Sequence, residues 1–188
     1  MPSPGRPPLT SEEAHAIIEP YFDAVQETFV EGGAKRAKTV HFEVHPWIHD
    51  SPRHFAACSE HGTPILVAPD LAELPEETLL AILSHEFGHA VDFLYPAEFE
   101  VREGRIVQLP AIPPGNLKRF FDGDEHLGKK ADQVVLARMK RWYDRDVDTV
   151  EATADAIAVE FTGKVIGYCG PCDIQCFDRG RARPVGLR

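Results

Sequence analysis

Length, composition and charge limit the classes of protein to which this chain can belong. Its 188 residues, of which 43% are hydrophobic and 27% charged, suit one soluble globular domain. The formal net charge of -10 disfavours nucleic acid as a partner, and no apolar run has the length that a membrane span needs. The N-terminus has no apolar segment typical of a secretory signal, so we expect a cytoplasmic protein without a membrane partner.

A helix followed by short strands is predicted for the first part of the chain. Residues 1–10 resemble a flexible proline-rich arm. Thr10 or Ser11 can cap a helix that runs to about Val30. This order of helix, strands and a further helix predicts an α+β fold with a small mixed sheet. The strands are predicted from alternating or β-branched patterns in residues 39–44, 53–58 and 64–68.

The next predicted helix begins at Pro75 and ends near Tyr95. Proline in the first turn, followed by two acids, is typical of a helix start. At about 100° per residue, His85 lies about 160° from Leu83 of the apolar stripe, so the histidines of this helix face away from the stripe. We expect the helix to cross the interior and to open onto a cleft. The stripe consists of Leu80, Leu83, Phe87, Val91 and Leu94.

The rest of the chain is predicted to be mostly helical. Residues 101–109 can hold a hairpin, and the proline-rich residues 110–115 are predicted as a loop. Two helices follow, in residues 132–142 and, capped by Asp146, in residues 147–162. We therefore expect a single domain over residues 1–188. Its segments are the arm (1–10), the sheet and the helix with the two histidines (11–95), the helical part (96–163) and a cysteine-containing tail (164–188).

The most informative stretch is His85-Glu86-Phe87-Gly88-His89. Two histidines one helical turn apart lie about 6 Å from each other, so both can bind one zinc ion. Glu86 is rotated by about 100° from His85, which places its carboxylate beside the ion, where it can accept a proton from an activated water. Gly88 costs the helix about 1 kcal/mol relative to alanine. Close approach of another backbone segment would explain it.

A catalytic zinc site needs a third protein ligand. Asp92 lies about 10.5 Å from His85 along the helix, which is too far for both to bind one ion. We therefore expect Asp92 either to contact a ligand side chain or to lie at the surface. Glu151 is the better candidate, since it shares a face with Asp155 in a small apolar helix. Glu151 could coordinate the metal, and Asp155 could accept the free N–H of a ligand histidine. The alternative is that both acids are exposed on an amphipathic helix.

The two motifs resemble those of a known family. His85-Glu86-Phe87-Gly88-His89 followed by Glu151-Ala152-Thr153-Ala154-Asp155 is similar to the motif pair of the gluzincin zinc metallopeptidases, the clan that includes thermolysin. The second motif has the Glu-x-x-Ala-Asp form of membrane-bound CAAX-protease-like members, but no transmembrane segments accompany it here. The metzincin pattern does not fit, because Tyr95 stands where that pattern requires a third histidine.

The resemblance implies a zincin-like fold and a set of roles. Glu86 would be the general base, and Asp155 would bind a ligand histidine. A strand, best matched by residues 64–68, would pair with an extended substrate. Gluzincins also place a tyrosine or histidine near the zinc to stabilise the oxyanion, for which Tyr143 is the candidate, with Tyr168 and His126 as alternatives. The implied zinc ligands are His85, His89 and Glu151.

Three of the four cysteines lie in the tail, namely Cys169, Cys172 and Cys176. Cys169-Gly170-Pro171-Cys172 spells a thioredoxin-type motif, but the chain that follows is too short for the fold that this motif requires. Together with Cys58 or a histidine, the three could hold a second, structural zinc ion. Alternatively, one cysteine could bind the catalytic zinc and keep the enzyme latent, or all could be reduced and packed.

Basic side chains gather late in the chain, among them Arg138, Lys140 and Arg141. An anionic partner could use them. Since no aromatic platform interleaves them, we interpret them as part of a solvated surface.

We therefore predict a zinc-dependent peptidase that acts on a peptide or protein substrate. The alternative is a zincin-like protein without enzymatic activity, whose metal is structural or whose closed cleft binds a protein partner. Glu86 favours the enzyme, because a purely structural site has no need of a carboxylate beside the water.

Overall fold

Five α-helices, two 3-10 helices and five short strands lie in the part of the chain that the structure describes. The structure is a computed structural model that describes residues 8–46, 55–59, 62–122 and 130–163. The fold is α+β, mostly helical, with two small sheets. No helix in these ranges is long and apolar enough to cross a membrane. The helices are α1 (Ser11–Glu31), α2 (Glu76–Leu94), α3 (Pro114–Phe121), α4 (Lys130–Tyr143) and α5 (Val147–Thr162). The strands are β1 (Phe42–Val44), β2 (Ala56–Cys58), β3 (Ile65–Val67), β4 (Phe99–Arg102) and β5 (Arg105–Gln108).

Helix α1 packs along α2 and begins at the predicted cap. The Thr10 hydroxyl accepts a hydrogen bond from the Glu13 N–H at 3.2 Å, and the Glu13 carboxylate accepts one from the Thr10 N–H at 2.9 Å. The buried face of α1 meets Phe87 of α2, whose ring lies 4.8 Å from that of Phe22 and 5.4 Å from that of Phe29. These rings join α1 to the helix that carries the two histidines.

The three-stranded sheet is mixed, and β3 is its central strand. β1 pairs with β3 in parallel, and β2 pairs with β3 antiparallel. The prediction that residues 64–68 pair with a substrate is therefore wrong, because neighbouring strands occupy both sides of β3. Among the strands that the structure describes, β1 and β2 form the edges of this sheet.

The first strand is shorter than predicted. Lys35–Thr39 forms a 3-10 helix, and the strand begins only at Phe42. The side-chain amide of Gln26 in α1 donates hydrogen bonds to the carbonyls of Ala37 at 3.0 Å and Val40 at 2.7 Å. These carbonyls are satisfied by α1 rather than by a neighbouring strand, so the alternating pattern does not lead to pairing here.

The second half of the described chain contains the predicted hairpin and one helix that the sequence pattern does not predict. Glu103 and Gly104 connect β4 to β5 with φ angles of 52° and 74°, as in a two-residue type I′ turn. The prediction of a loop in residues 110–115 is wrong at its end, since α3 begins at Pro114. Proline is favoured in a first helical turn, because an N–H there has no partner within the helix.

Helix α2 crosses the interior and meets α5 at Gly88. Its middle turns are buried on every side, with His85 and Glu86 each 7% exposed and His89 9% exposed. A Cβ atom added to Gly88 would lie 2.2 Å from the carbonyl oxygen of Ala154 in α5. The expected close approach of another backbone segment is therefore confirmed. This contact sets the distance between the two helices that carry the motifs.

We expect Gly88→Ala to lower the free energy of unfolding by about 1–3 kcal/mol, the usual cost of overpacking a core. The added methyl group must push the Ala154 backbone away. Urea denaturation followed by circular dichroism measures the change. Gly115→Ala is the control, because a Cβ atom at Gly115 in α3 meets no atom within 4 Å. Equal stability of the Gly88→Ala protein and the unmodified protein would contradict the close helix crossing.

Candidate metal centre

Helix α5 presents two acids to α2. Asp146 caps the helix by accepting a hydrogen bond from the Thr149 N–H at 2.8 Å, and Gly163 ends it with a φ of 67°. Glu151 and Asp155 lie one turn apart between these ends. Asp155 is 7% exposed and Glu151 is half-buried, so the two are not a solvated pair.

Three potential ligand atoms converge between α2 and α5. The Nε2 atoms of His85 and His89 lie 3.0 Å apart. The Glu151 Oε2 atom lies 3.0 Å from the first and 3.4 Å from the second. Ligand atoms around a tetrahedral ion, at the bond lengths typical of zinc, lie about 3.3 Å from one another. His85, His89 and Glu151 therefore form a group that can bind a metal ion.

Asp155 lies behind His85 and determines how its ring is oriented. The Asp155 Oδ1 atom is 2.8 Å from His85 Nδ1. Since a carboxylate only accepts, Nδ1 carries the proton, and Nε2 is the atom that can offer a lone pair to a metal. The structure thus brings both acids of α5 to the same histidine, one on each side of its ring.

The charges within this group depend on one another. Burial opposes a charge on His85, but hydrogen bonds with Asp155 and Glu151 outweigh it and raise the pKa of His85 to about 10. Burial also opposes the charge on Glu151, whereas hydrogen bonds with His85 and His89 lower its pKa to about 2. A metal ion can bind only when Nε2 of His85 is deprotonated, so metal binding displaces a proton.

Glu86 lies next to the first histidine and close to strand β2. Its carboxylate receives no hydrogen bond from any described residue. Burial and, second to it, the negative charge of Glu86 raise the pKa of the Cys58 thiol. The protonated thiol donates to the Ser59 carbonyl at 3.5 Å. Strand β2 packs against α2, and its Cys58 thiol lies within electrostatic range of the side chain that the sequence suggests as a base.

Of the suggested second metal site, only Cys58 lies in the described part of the chain, where it is half-buried and free. The second site therefore stays a prediction, and so do the alternatives for the tail. The residues of these predictions that lie outside the described ranges are Cys169, Cys172, Cys176, Tyr168 and His126.

Tyr143 lies at the surface, at the end of α4. Its side chain is 67% exposed, and its ring lies 6.1 Å from that of Phe120 in α3. This geometry gives no support to a role for its hydroxyl in oxyanion stabilisation.

Asp92 belongs to a buried structural network. It is 1% exposed, pairs with Arg145 and accepts a hydrogen bond from the indole N–H of Trp142 at 3.1 Å. The expectation that it lies at the surface or supports the ligands is therefore wrong. The network ties the connection between α4 and α5 to the end of α2. Sequence reasoning missed it because no spacing rule links Asp92 to an arginine 53 positions later.

Comparisons with known proteins gave no match to a protein-family model, a curated protein or a solved structure. The function must therefore be inferred from the residues themselves.

Removing a metal ligand should weaken zinc binding more than removing Asp155, which only orients the ligand histidine His85. We expect Glu151→Ala to lose most of its zinc affinity, and Asp155→Ala to lose about 10–100-fold. Titration of the metal-free protein with zinc against a chromogenic chelator measures both. Glu160→Ala, an exposed position on the same helix, should bind zinc like the unmodified protein. Unchanged affinity in Glu151→Ala would exclude Glu151 as a ligand.

Proposed function

We propose that the chain is a zinc-dependent peptidase of the gluzincin type. The observation that carries this proposal is the convergence of His85, His89 and Glu151 to distances of 3.0 to 3.4 Å, with Glu86 beside the first histidine. Structural zinc sites are usually closed by four protein ligands, whereas catalytic sites have three and an open position. The described residues offer three ligands, which is the number that a catalytic site uses.

The donor set supports zinc as the metal. Two imidazole nitrogens and one carboxylate oxygen are ligands that zinc commonly takes in hydrolases. When bound, zinc is a Lewis acid that polarises a carbonyl group and lowers the pKa of water. A zincin-like fold is part of the same proposal: the mixed sheet precedes α2, and α2 and α5 carry the two motifs.

Glu86 would carry out the proton transfers. Its carboxylate would accept a proton from the attacking water and then give that proton to the leaving amine nitrogen, so the side chain ends in its starting state. At 7% exposure, its charge is little screened by solvent, which strengthens its action on the reacting groups. Asp155 would hold His85 in one orientation through the 2.8 Å hydrogen bond.

Strand β2 is the better candidate for pairing with an extended substrate. It is an edge strand among those described, whereas β3 is central. It also ends at Cys58, close enough to Glu86 for the two groups to interact electrostatically. A peptide that added to β2 would present its backbone near the proposed base.

The non-enzymatic alternative is favoured by one observation. His85, Glu86 and His89 are 7 to 9% exposed, so little of the group is open to a substrate in this conformation. A closed site of this kind could hold a metal that stabilises the crossing of α2 and α5.

The two functions differ in what Glu86→Gln does. This change preserves shape and removes the base, so we expect zinc content to stay the same and hydrolysis of a mixed peptide library to fall by about 10²–10⁴-fold. Mass spectrometry of the cleaved library measures the loss. Glu77→Gln, exposed in the first turn of α2, is the matched control and should retain activity.

Equal cleavage by the Glu86→Gln and unmodified proteins would exclude Glu86 as the base. A zinc-loaded protein that cleaves no member of the library would favour the non-enzymatic alternative.

A further inference from the structure

A pocket lies between the β4–β5 hairpin, α4 and α5. Its volume is about 230 Å³. Thr149 and Thr153 line it, and each is two residues from Glu151, so they lie about 160° round the helix from it. The pocket is therefore on the opposite face of α5 from the metal group, and the proposed peptidase chemistry does not use it. Its apolar wall consists of Ala97, Phe99, Val101, Leu109 and Trp142.

Two of the charged residues that line this pocket, Arg145 and Glu100, already have partners. Arg145, which lines it, is neutralised by Asp92. The carboxylate of Glu100, also in the lining, receives a hydrogen bond from Arg102 at 2.7 Å. The charge of Arg141 also acts on this carboxylate, whose pKa is lowered by the hydrogen bond from Arg102 and, to a smaller extent, by Arg141.

Two further arginines line the pocket without a carboxylate bonded to them among the described residues. They are Arg138 and Arg141. Arg138 donates from one terminal nitrogen to the Pro110 carbonyl at 2.8 Å, but its Nε is buried and has no described partner. This Nε atom is closed to the pocket as well as to solvent, so an occupant of the pocket would have to bind Arg138 through a terminal nitrogen.

We propose that this pocket binds a small organic anion, a carboxylate attached to an apolar body of about one ring. The carboxylate would accept charge-assisted hydrogen bonds from Arg138 and Arg141, and the body would lie on the apolar wall against Trp142. The pocket is smaller than the roughly 300–1,000 Å³ of sites for drug-sized ligands, which sets the size of the body. Arg141 is exposed, in agreement with the interpretation of a solvated surface, whereas Arg138 is half-buried.

Calorimetric titration of the metal-free protein with phenylacetate tests the proposal. We expect saturable binding with a Kd of about 1 mM or tighter, and binding of the neutral phenylacetamide at least roughly tenfold weaker. Arg138→Gln and Arg141→Gln each remove a charged donor and keep most of the stem, so each should weaken phenylacetate binding by roughly tenfold or more. Lys140→Gln, an exposed position on the same helix outside the pocket, is the matched control and should bind normally.

Three results would each overturn the proposal. They are no saturable binding up to about 10 mM phenylacetate, equal binding of the amide, or an equal loss in Lys140→Gln. Circular dichroism checks that the variants are folded. If Arg138→Gln does not fold, the exposed Arg141→Gln decides. Because no zinc or substrate enters the titration, failure here is distinguishable from failure of the peptidase proposal.

Discussion

The contact between Gly88 and the backbone of Ala154 is the constraint on which the site depends. Any Cβ at position 88 would overlap the Ala154 carbonyl, so only glycine lets α2 and α5 lie this close. Glu151 stands one turn before Asp155 on the far helix, and both reach His85. A wider crossing would separate the carboxylates from the imidazoles. Glycine lowers the stability of helix α2, but the geometry of the ligand group requires it at position 88.

Burying two histidines and two acids at this crossing is unfavourable unless their charges and lone pairs are satisfied. Hydrogen bonds among His85, Glu151 and Asp155 satisfy part of this requirement. A metal ion held by His85, His89 and Glu151 would take the place of the hydrogen bond between His85 Nε2 and Glu151. Because an unfolded chain does not hold these ligands together, metal binding would also stabilise the fold.

Sequence pattern predicted much of this arrangement, and its failures have a common cause. Local rules were sufficient for the Thr10 cap, for the turn at Glu103 and for the presence of α5, because each depends on residues a few positions apart. They failed for the place of β3 in the sheet and for Asp92, which depend on partners far along the chain. The pair of motif helices could be inferred only because histidine and carboxylate chemistry links them without any knowledge of the fold.

The network around Asp92 also explains why α5 can have different chemistry on its two faces. Arg145 contributes to the pocket lining, yet its charge is taken up by Asp92 of α2. Because Arg145 is neutralised by Asp92, an anion in the proposed site would bind through Arg138 and Arg141 of α4. Trp142 likewise offers its ring to the pocket, while its N–H is bonded to Asp92. The side chains that connect the pocket to α2 thus have their polar groups already paired, so an anion could bind behind α5 without removing a partner from the helix that carries His85 and His89.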